Sequence, residues 1–230
     1  MQILTAAVAL DVLGADYRFT TLVQGDVDAD GVVAGNLFLV GGGDPLLTNW
    51  WSSGSNSAFP PTNRTTFDDI TELLQAAGVT RVRGSVVGDS TRYVIDDYPP
   101  FWGPEAKAEA GPLGALMVND GYVASGKVEN PASGAAAQLT EMLEAAGIRV
   151  DGDPKTGRSN SSVTLATLQS NLLPLIIQEM LATGDSNTAE LLLHEIGIAA
   201  TGVGTRDAGL AVMTQKLEAW GVTMTDMWLF

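Results

Sequence analysis

Ile70-Thr71-Glu72-Leu73-Leu74-Gln75-Ala76-Ala77-Gly78-Val79 is the stretch on which the fold turns. Leucine, alanine, glutamate and glutamine favour a helix, glycine takes the left-handed position that closes one, and a β-branched residue opens the strand beyond. The same grammar returns in Leu139-Thr140-Glu141-Met142-Leu143-Glu144-Ala145-Ala146-Gly147-Ile148 and, shortened, in Leu217-Glu218-Ala219-Trp220-Gly221-Val222. The spacings are too long and too uneven for a solenoid, so these read as separate helix–glycine–strand units. Helices and strands mixed in this order make an α/β protein.

Outward from that stretch the pattern continues. Thr66 can cap the helix of residues 67–77, and residues 81–87 read as the strand after it. Residues 17–23 and 36–40 read as a hairpin around Gly25-Asp26-Val27-Asp28-Ala29-Asp30-Gly31, and 50–61 as an exposed loop. Helices are predicted at 131–146, at 173–196 with a break near Thr183-Gly184, and at 205–220. Met1 opens directly into a helical pattern (Ile3, Leu4, Ala7, Val8, Leu10, Val12) that Gly14 closes, with no basic leader or cleavage site. Residues 224–230 read as the start of an apolar strand. Both ends look trimmed from a larger protein, and the helices near them are expected to pack together, since neither can bury its apolar face alone.

Composition narrows the function. The 230 residues carry 27 acidic against 12 basic side chains, a formal net charge of −15. Such a surface repels phosphate backbones and anionic headgroups, which argues against nucleic acid and membrane-surface partners. No apolar run is long enough for a transmembrane segment. Cysteine is absent and His194 is the single histidine, so thiolate chemistry and multi-histidine metal sites are excluded.

Several local motifs read as structure. Asp26-x-Asp28-x-Asp30-Gly31 opens like a calcium loop, but Leu37 stands where the bidentate glutamate belongs, so it is an acidic turn. Gly41-Gly42-Gly43 lacks the lysine of a phosphate cradle and is followed by Asp44-Pro45, which makes it a tight passage of backbone. His194-Glu195 has no second histidine and reads as structural. Lys155-Thr156-Gly157 sits in a run of turn-forming residues, Asp153-Pro154 before it and Arg158-Ser159-Asn160-Ser161 after it.

One family gathers the remaining segments. They are Ile3-Leu4-Thr5-Ala6-Ala7 with Tyr17-Arg18-Phe19-Thr20-Thr21, Asn36-Leu37-Phe38-Leu39-Val40-Gly41-Gly42-Gly43-Asp44-Pro45, and Gly84-Ser85-Val86-Val87-Gly88-Asp89. Then follow Tyr98-Pro99-Pro100 with Trp102, Pro112-Leu113 leading to Val118-Asn119-Asp120-Gly121, and Thr188-Ala189-Glu190-Leu191-Leu192. In order and spacing the set resembles the class C, low-molecular-mass penicillin-binding D-alanyl-D-alanine carboxypeptidases/endopeptidases.

The resemblance implies a partial β-lactamase/DD-peptidase-like domain, residues 1–30 and 160–230, interrupted by a large mixed α/β insertion, residues 31–159. It implies an extracytoplasmic or periplasmic setting, peptidoglycan stem peptides as substrate, β-lactams as ligands and no cofactor. The family's chemistry uses a Ser-x-x-Lys helix that forms an acyl-enzyme, a Ser-x-Asn motif and a later Lys-Thr-Gly strand. Carried over residue by residue, the lysine position falls on Gln2, with the serine before Met1 and the third motif beyond Phe230. The second motif falls on Gly184-Asp185-Ser186, or, shifted by one, on Asp185-Ser186-Asn187. An amide at Gln2 cannot accept the serine proton, so hydrolytic silence is expected. The alternative function is that of a non-catalytic peptidoglycan-binding or scaffold relative.

Overall fold

The computed structural model describes residues 1–49, 62–95 and 98–223. The expected loop at 50–61 and the terminal strand at 224–230 lie outside the described residues. The fold is mixed α/β, built among the described residues on two large apolar cores and a small cluster of Tyr93, Ala115, Met117 and Leu191. The first belongs to helices. α1 (Gln2–Leu13) packs against α5 (Leu173–Thr183), α6 (Ser186–Thr201) and α7 (Arg206–Ala219) through Ala6, Val8, Ala9, Ile176, Met180 and Leu192. Elements from the two ends of the chain therefore share one core, as the sequence predicts.

The second core lies between two sheets and two helices. Strands β1 (Thr20–Gln24), β3 (Leu37–Val40), β7 (Val86–Asp89), β11 (Lys155–Thr156) and β12 (Thr164–Gln169) form a sheet in the order β11-β7-β3-β1-β12. Strands β2 (Val32–Val33), β6 (Arg81–Val82) and β10 (Arg149–Val150) form a parallel one. Helices α2 (Asp69–Ala76) and α4 (Pro131–Ala145) bury Ile70, Leu74, Leu139 and Leu143 beside Val33, Val82 and Val86. Shorter pieces complete the described chain: a ribbon of β4 (Leu47–Thr48) and β5 (Thr65–Thr66), helix α3 (Pro104–Glu109), and a hairpin of β8 (Tyr122–Val123) and β9 (Gly126–Lys127).

The two sheets are joined by three bends of one design. Each short strand of the parallel sheet (β2, β6, β10) runs on, within a few residues, into a strand of the larger sheet (β3, β7, β11). Val33-Ala34-Gly35, Val82-Arg83-Gly84 and Val150-Asp151-Gly152 occupy the three bends. They stack: Gly84 donates its N–H to the Gly35 carbonyl (2.9 Å), and Gly152 donates to Gly84 (3.0 Å). A Cβ on Gly84 would stand 2.5 Å from the Gly35 oxygen and from Asn36 Oδ1, closer than atoms pack. Gly84→Ala should therefore lower the unfolding free energy by about 1–3 kcal/mol through overpacking. Urea unfolding checks this, and a wild-type midpoint would refute the stacking argument.

The structure corrects three expectations. The strand of residues 81–87 is two strands, because the chain crosses between sheets at Arg83-Gly84-Ser85. Thr66 belongs to β5, and α2 begins only at Asp69. Lys155-Thr156 is a strand despite its turn-forming neighbours, because parallel pairing with Val87 and Gly88 outweighs local propensity. The acidic turn is as expected: Asp28 Oδ1 accepts from the N–H groups of Asp30 (3.0 Å) and Val32 (2.9 Å). The triple glycine is a tight passage, since a Cβ on Gly42 would lie 1.9 Å from the Thr20 carbonyl oxygen. Among the described residues no helix is long and apolar enough to cross a membrane, and no cluster of three acidic or histidine side chains could hold a metal ion.

Candidate active site

The bend between α5 and α6 carries most of the site residues expected from sequence. Gly184 ends α5 in the left-handed conformation (φ 72°, ψ 28°), where a side chain would be strained. Asp185 then caps α6. Its Oδ1 accepts from the N–H groups of Asn187 (2.8 Å) and Thr188 (3.2 Å), and its Oδ2 accepts from the Thr188 hydroxyl. The anion also suits the positive end of the helix. Ser186 is exposed at the first position of α6.

Asn187 is buried and faces the segment between α3 and β8. Its Oδ1 accepts the Gly111 N–H (2.7 Å), and its Nδ2 donates to Asp120 Oδ1 (2.9 Å). Asp120 sits on a left-handed turn (φ 54°) beside Asn119 (φ 54°). Two adjacent non-glycine residues there store strain. Buried side chains hold the turn: Asn119 Nδ2 donates to Asn49 Oδ1 (2.6 Å), and Asn119 Oδ1 accepts the Asn49 N–H (2.9 Å). Asn49 in turn donates to Gln138 Oε1 (2.6 Å).

Asp120 keeps solvent contact on this turn, yet its carboxylate is crowded by protein. Burial first, and the Asp185 charge second, push its pKa up to about 6, while the Asn187 amide and Lys127 oppose the rise. Asp185 is also raised, by burial. Lys127 lies near Asp120. Its Nζ donates to the carbonyls of Ala110 (2.7 Å) and Lys107 (3.0 Å) and lies 5.9 Å from the Tyr98 ring centre and 5.8 Å from that of Tyr122. Burial lowers its pKa.

Gln2 is half-buried at the first residue of α1. The helical core brings α1 against α5 and α6, but no hydrogen bond joins Gln2 to the bend among the described residues. Neither Gln2 nor Gly184 supplies a base or a nucleophile. Among the described residues the hydroxyl of Ser186 is hydrogen-bonded to no lysine or histidine that could activate it. Asp120 and Lys127 were not singled out from the sequence as site residues, because a turn and a short hairpin carry no chemical signature. Only the Asn119-Asp120-Gly121 composition marks the place.

His194 packs as a structural residue: its Nδ1 lies 2.9 Å from the Glu190 carbonyl oxygen, and burial lowers its pKa. Glu195, one residue on, is a buried hub. It accepts hydrogen bonds from the Tyr17 hydroxyl (2.6 Å), the Tyr93 hydroxyl (2.7 Å) and two nitrogens of Arg92, one of them Nε at 3.0 Å. These partners lie just after α1 and just after β7, so one carboxylate ties α6 to both.

Comparison with known proteins identifies the family. A profile of the D-Ala-D-Ala carboxypeptidase 3 (S13) family matches residues 1–125 and 123–230. A D-alanyl-D-alanine carboxypeptidase of an Actinomadura species is 25% identical, the match covering 96% of this chain and 53% of the relative. Carboxypeptidase DacB of Mycolicibacterium smegmatis is 26% identical, with 96% of this chain and 47% of the relative covered. The chain thus spans about half the length of these relatives. The crystal structure of penicillin binding protein 4 (dacB) from Haemophilus influenzae superposes with a TM-score of 0.82 at 16% identity, over 99% of this chain and 63% of that one. With the family profile matching along its whole length, the chain belongs to the D-Ala-D-Ala carboxypeptidase 3 (S13) family.

Proposed function

We propose that this chain carries the framework of a serine-type D-Ala-D-Ala carboxypeptidase/endopeptidase and engages peptidoglycan stem peptides outside the cytoplasmic membrane without acylating on them. The observation that carries this reading is the pairing of Gln2 at the family's lysine position with Gly184 at its second serine. An acyl-enzyme needs a hydroxyl and a group that takes its proton. The primary amide of Gln2 is not basic, and Gly184 has no side chain to relay a proton. Asp120, exposed on its turn beside the bend and held there by the buried Asn187, is the side chain a peptide would meet.

In this reading residues 1–30 and 160–230 form the catalytic-type half and 31–159 the insertion. β1 and β12 are then the two stalks through which the insertion's sheet joins that half. Support for stem peptides as the ligand class comes from the carboxypeptidase relatives. Support for β-lactams comes from the Haemophilus protein, whose structure has also been determined with one bound.

A fluorescent penicillin separates the possibilities. We expect intact-mass spectrometry to find no covalent adduct after prolonged incubation, while calorimetry with a soluble stem pentapeptide ending in D-Ala-D-Ala shows saturable binding. A stoichiometric penicilloyl adduct, or release of free D-alanine from the pentapeptide, would overturn the silence. Absence of peptide binding would overturn the ligand class.

A further inference from the structure

We propose that the free edge of the five-stranded sheet, at Lys155–Thr156, is a docking strand for a short, extended, anionic peptide. β11 is the terminal strand of the sheet and pairs in parallel with β7, Lys155 opposite Val87 and Thr156 opposite Gly88. Gly157 continues the pairing by donating its N–H to the Gly88 carbonyl (3.1 Å). Backbone groups alternate in direction along a strand, so with 155 and 157 facing β7, the N–H and C=O of Thr156 face away from the sheet. Residues 153–158 are exposed, and nothing among the described residues covers this edge. The sheet already grows in this direction by parallel addition, β3 to β7 and β7 to β11. A further extended segment would continue that geometry, which is the strand-addition mode of peptide recognition.

Charge selects the occupant. The chain carries a net −15, yet this edge presents two cations, Lys155 and Arg158, against one carboxylate, Asp153. Neither forms an ion pair among the described residues, whereas the neighbouring Arg81 and Arg149 are both taken by Asp151. Two unpaired cations beside an open backbone donor and acceptor match a peptide rich in glutamate or aspartate. Pro154, just before the strand, removes one N–H from the edge. With the flanking cations it disfavours long, neutral strands and so discourages indiscriminate pairing. The site is distinct from the α5–α6 bend and does not rest on the function proposed for it.

Fluorescence anisotropy with a fluorescein-labelled heptapeptide of alternating glutamate and threonine tests the proposal on the full chain. The expected result is saturable binding that weakens at least tenfold in the Lys155→Glu/Arg158→Glu double variant and in Thr156→Pro. Circular dichroism and the melting temperature should stay unchanged. Thr156→Pro removes an N–H that the protein's own ladder does not use. Should that variant unfold, the charge-reversed variant decides alone. Four results would each overturn the proposal. They are no binding at millimolar peptide, equal binding of a lysine–threonine peptide, undiminished binding by the charge-reversed variant, or an edge occupied in solution by a second copy of the chain.

Discussion

Glu195→Gln should be among the most damaging single substitutions in the molecule, lowering the unfolding free energy by roughly 3 kcal/mol. The carboxylate is almost wholly inaccessible, with 2% of its side-chain surface exposed, and takes four hydrogen bonds from three residues. An amide of the same shape accepts at only one atom and carries no charge. Two of the four donors lose their acceptor, and the Arg92 guanidinium loses its counter-ion. Because 35% of the Arg92 side chain reaches solvent, water recovers part of the loss, which holds the effect at the lower end for a broken buried pair. For a chain of this size the melting temperature should fall by roughly 6–12 °C. Tyr17→Phe and Tyr93→Phe, each deleting one donor, should cost about 1–2 kcal/mol. Thermal unfolding of the three variants provides the check. A glutamine variant no worse than either phenylalanine variant would show that the ion pair contributes nothing beyond its hydrogen bonds.

That hub marks what the sequence did and did not reveal. Periodicity and glycine placement located α4, α5, α6 and α7 closely, because amphipathic faces and left-handed closing residues are local properties. The packing of α1 against α5 and α6 was also legible, since an apolar helix at each end needed a partner. Pairings between distant segments were not. Tyr17, Arg92, Tyr93 and Glu195 carry no shared local pattern, and Glu195 drew notice only as the neighbour of His194. Lys155-Thr156 became a strand because β7 was there to receive it. At the bend, composition correctly foretold a break, and in the structure Asp185 caps the helix after it. The partners of Asn187 came from a loop whose turn rests on Asn49 and Gln138, far away in sequence. The family resemblance reached Gln2 and the bend by alignment of motifs, a route that spacing alone does not open.

Asp44→Asn should make the protein more stable at neutral pH and leave it nearly unchanged in acid. Asp44 follows the triple glycine and sits where the two cores meet, with Leu46 in the helical core and Leu47 in the sheet core. It is 3% exposed. Its Oδ1 accepts the Leu46 N–H at 3.0 Å. The hydroxyl of Thr65 faces the carboxylate and has no other partner among the described residues. Among the described residues no cation offsets the charge, so burial pushes the pKa from 3.8 up to about 6. A carboxyl raised in the folded state contributes stability that is fully present below about pH 4 and is lost as pH climbs through about 6. Across that interval the ionised side chain costs on the order of 3 kcal/mol. Asparagine keeps the acceptor for Leu46, offers a donor to Thr65 and never ionises. The difference in unfolding free energy between Asp44→Asn and wild type should therefore rise by about 3 kcal/mol in the variant's favour from pH 4 to pH 7.5, measured by urea unfolding at each pH. A difference that stays flat across that range would mean that the buried carboxylate is stabilised as the anion, and that the junction between the two cores is more polar than its surroundings indicate.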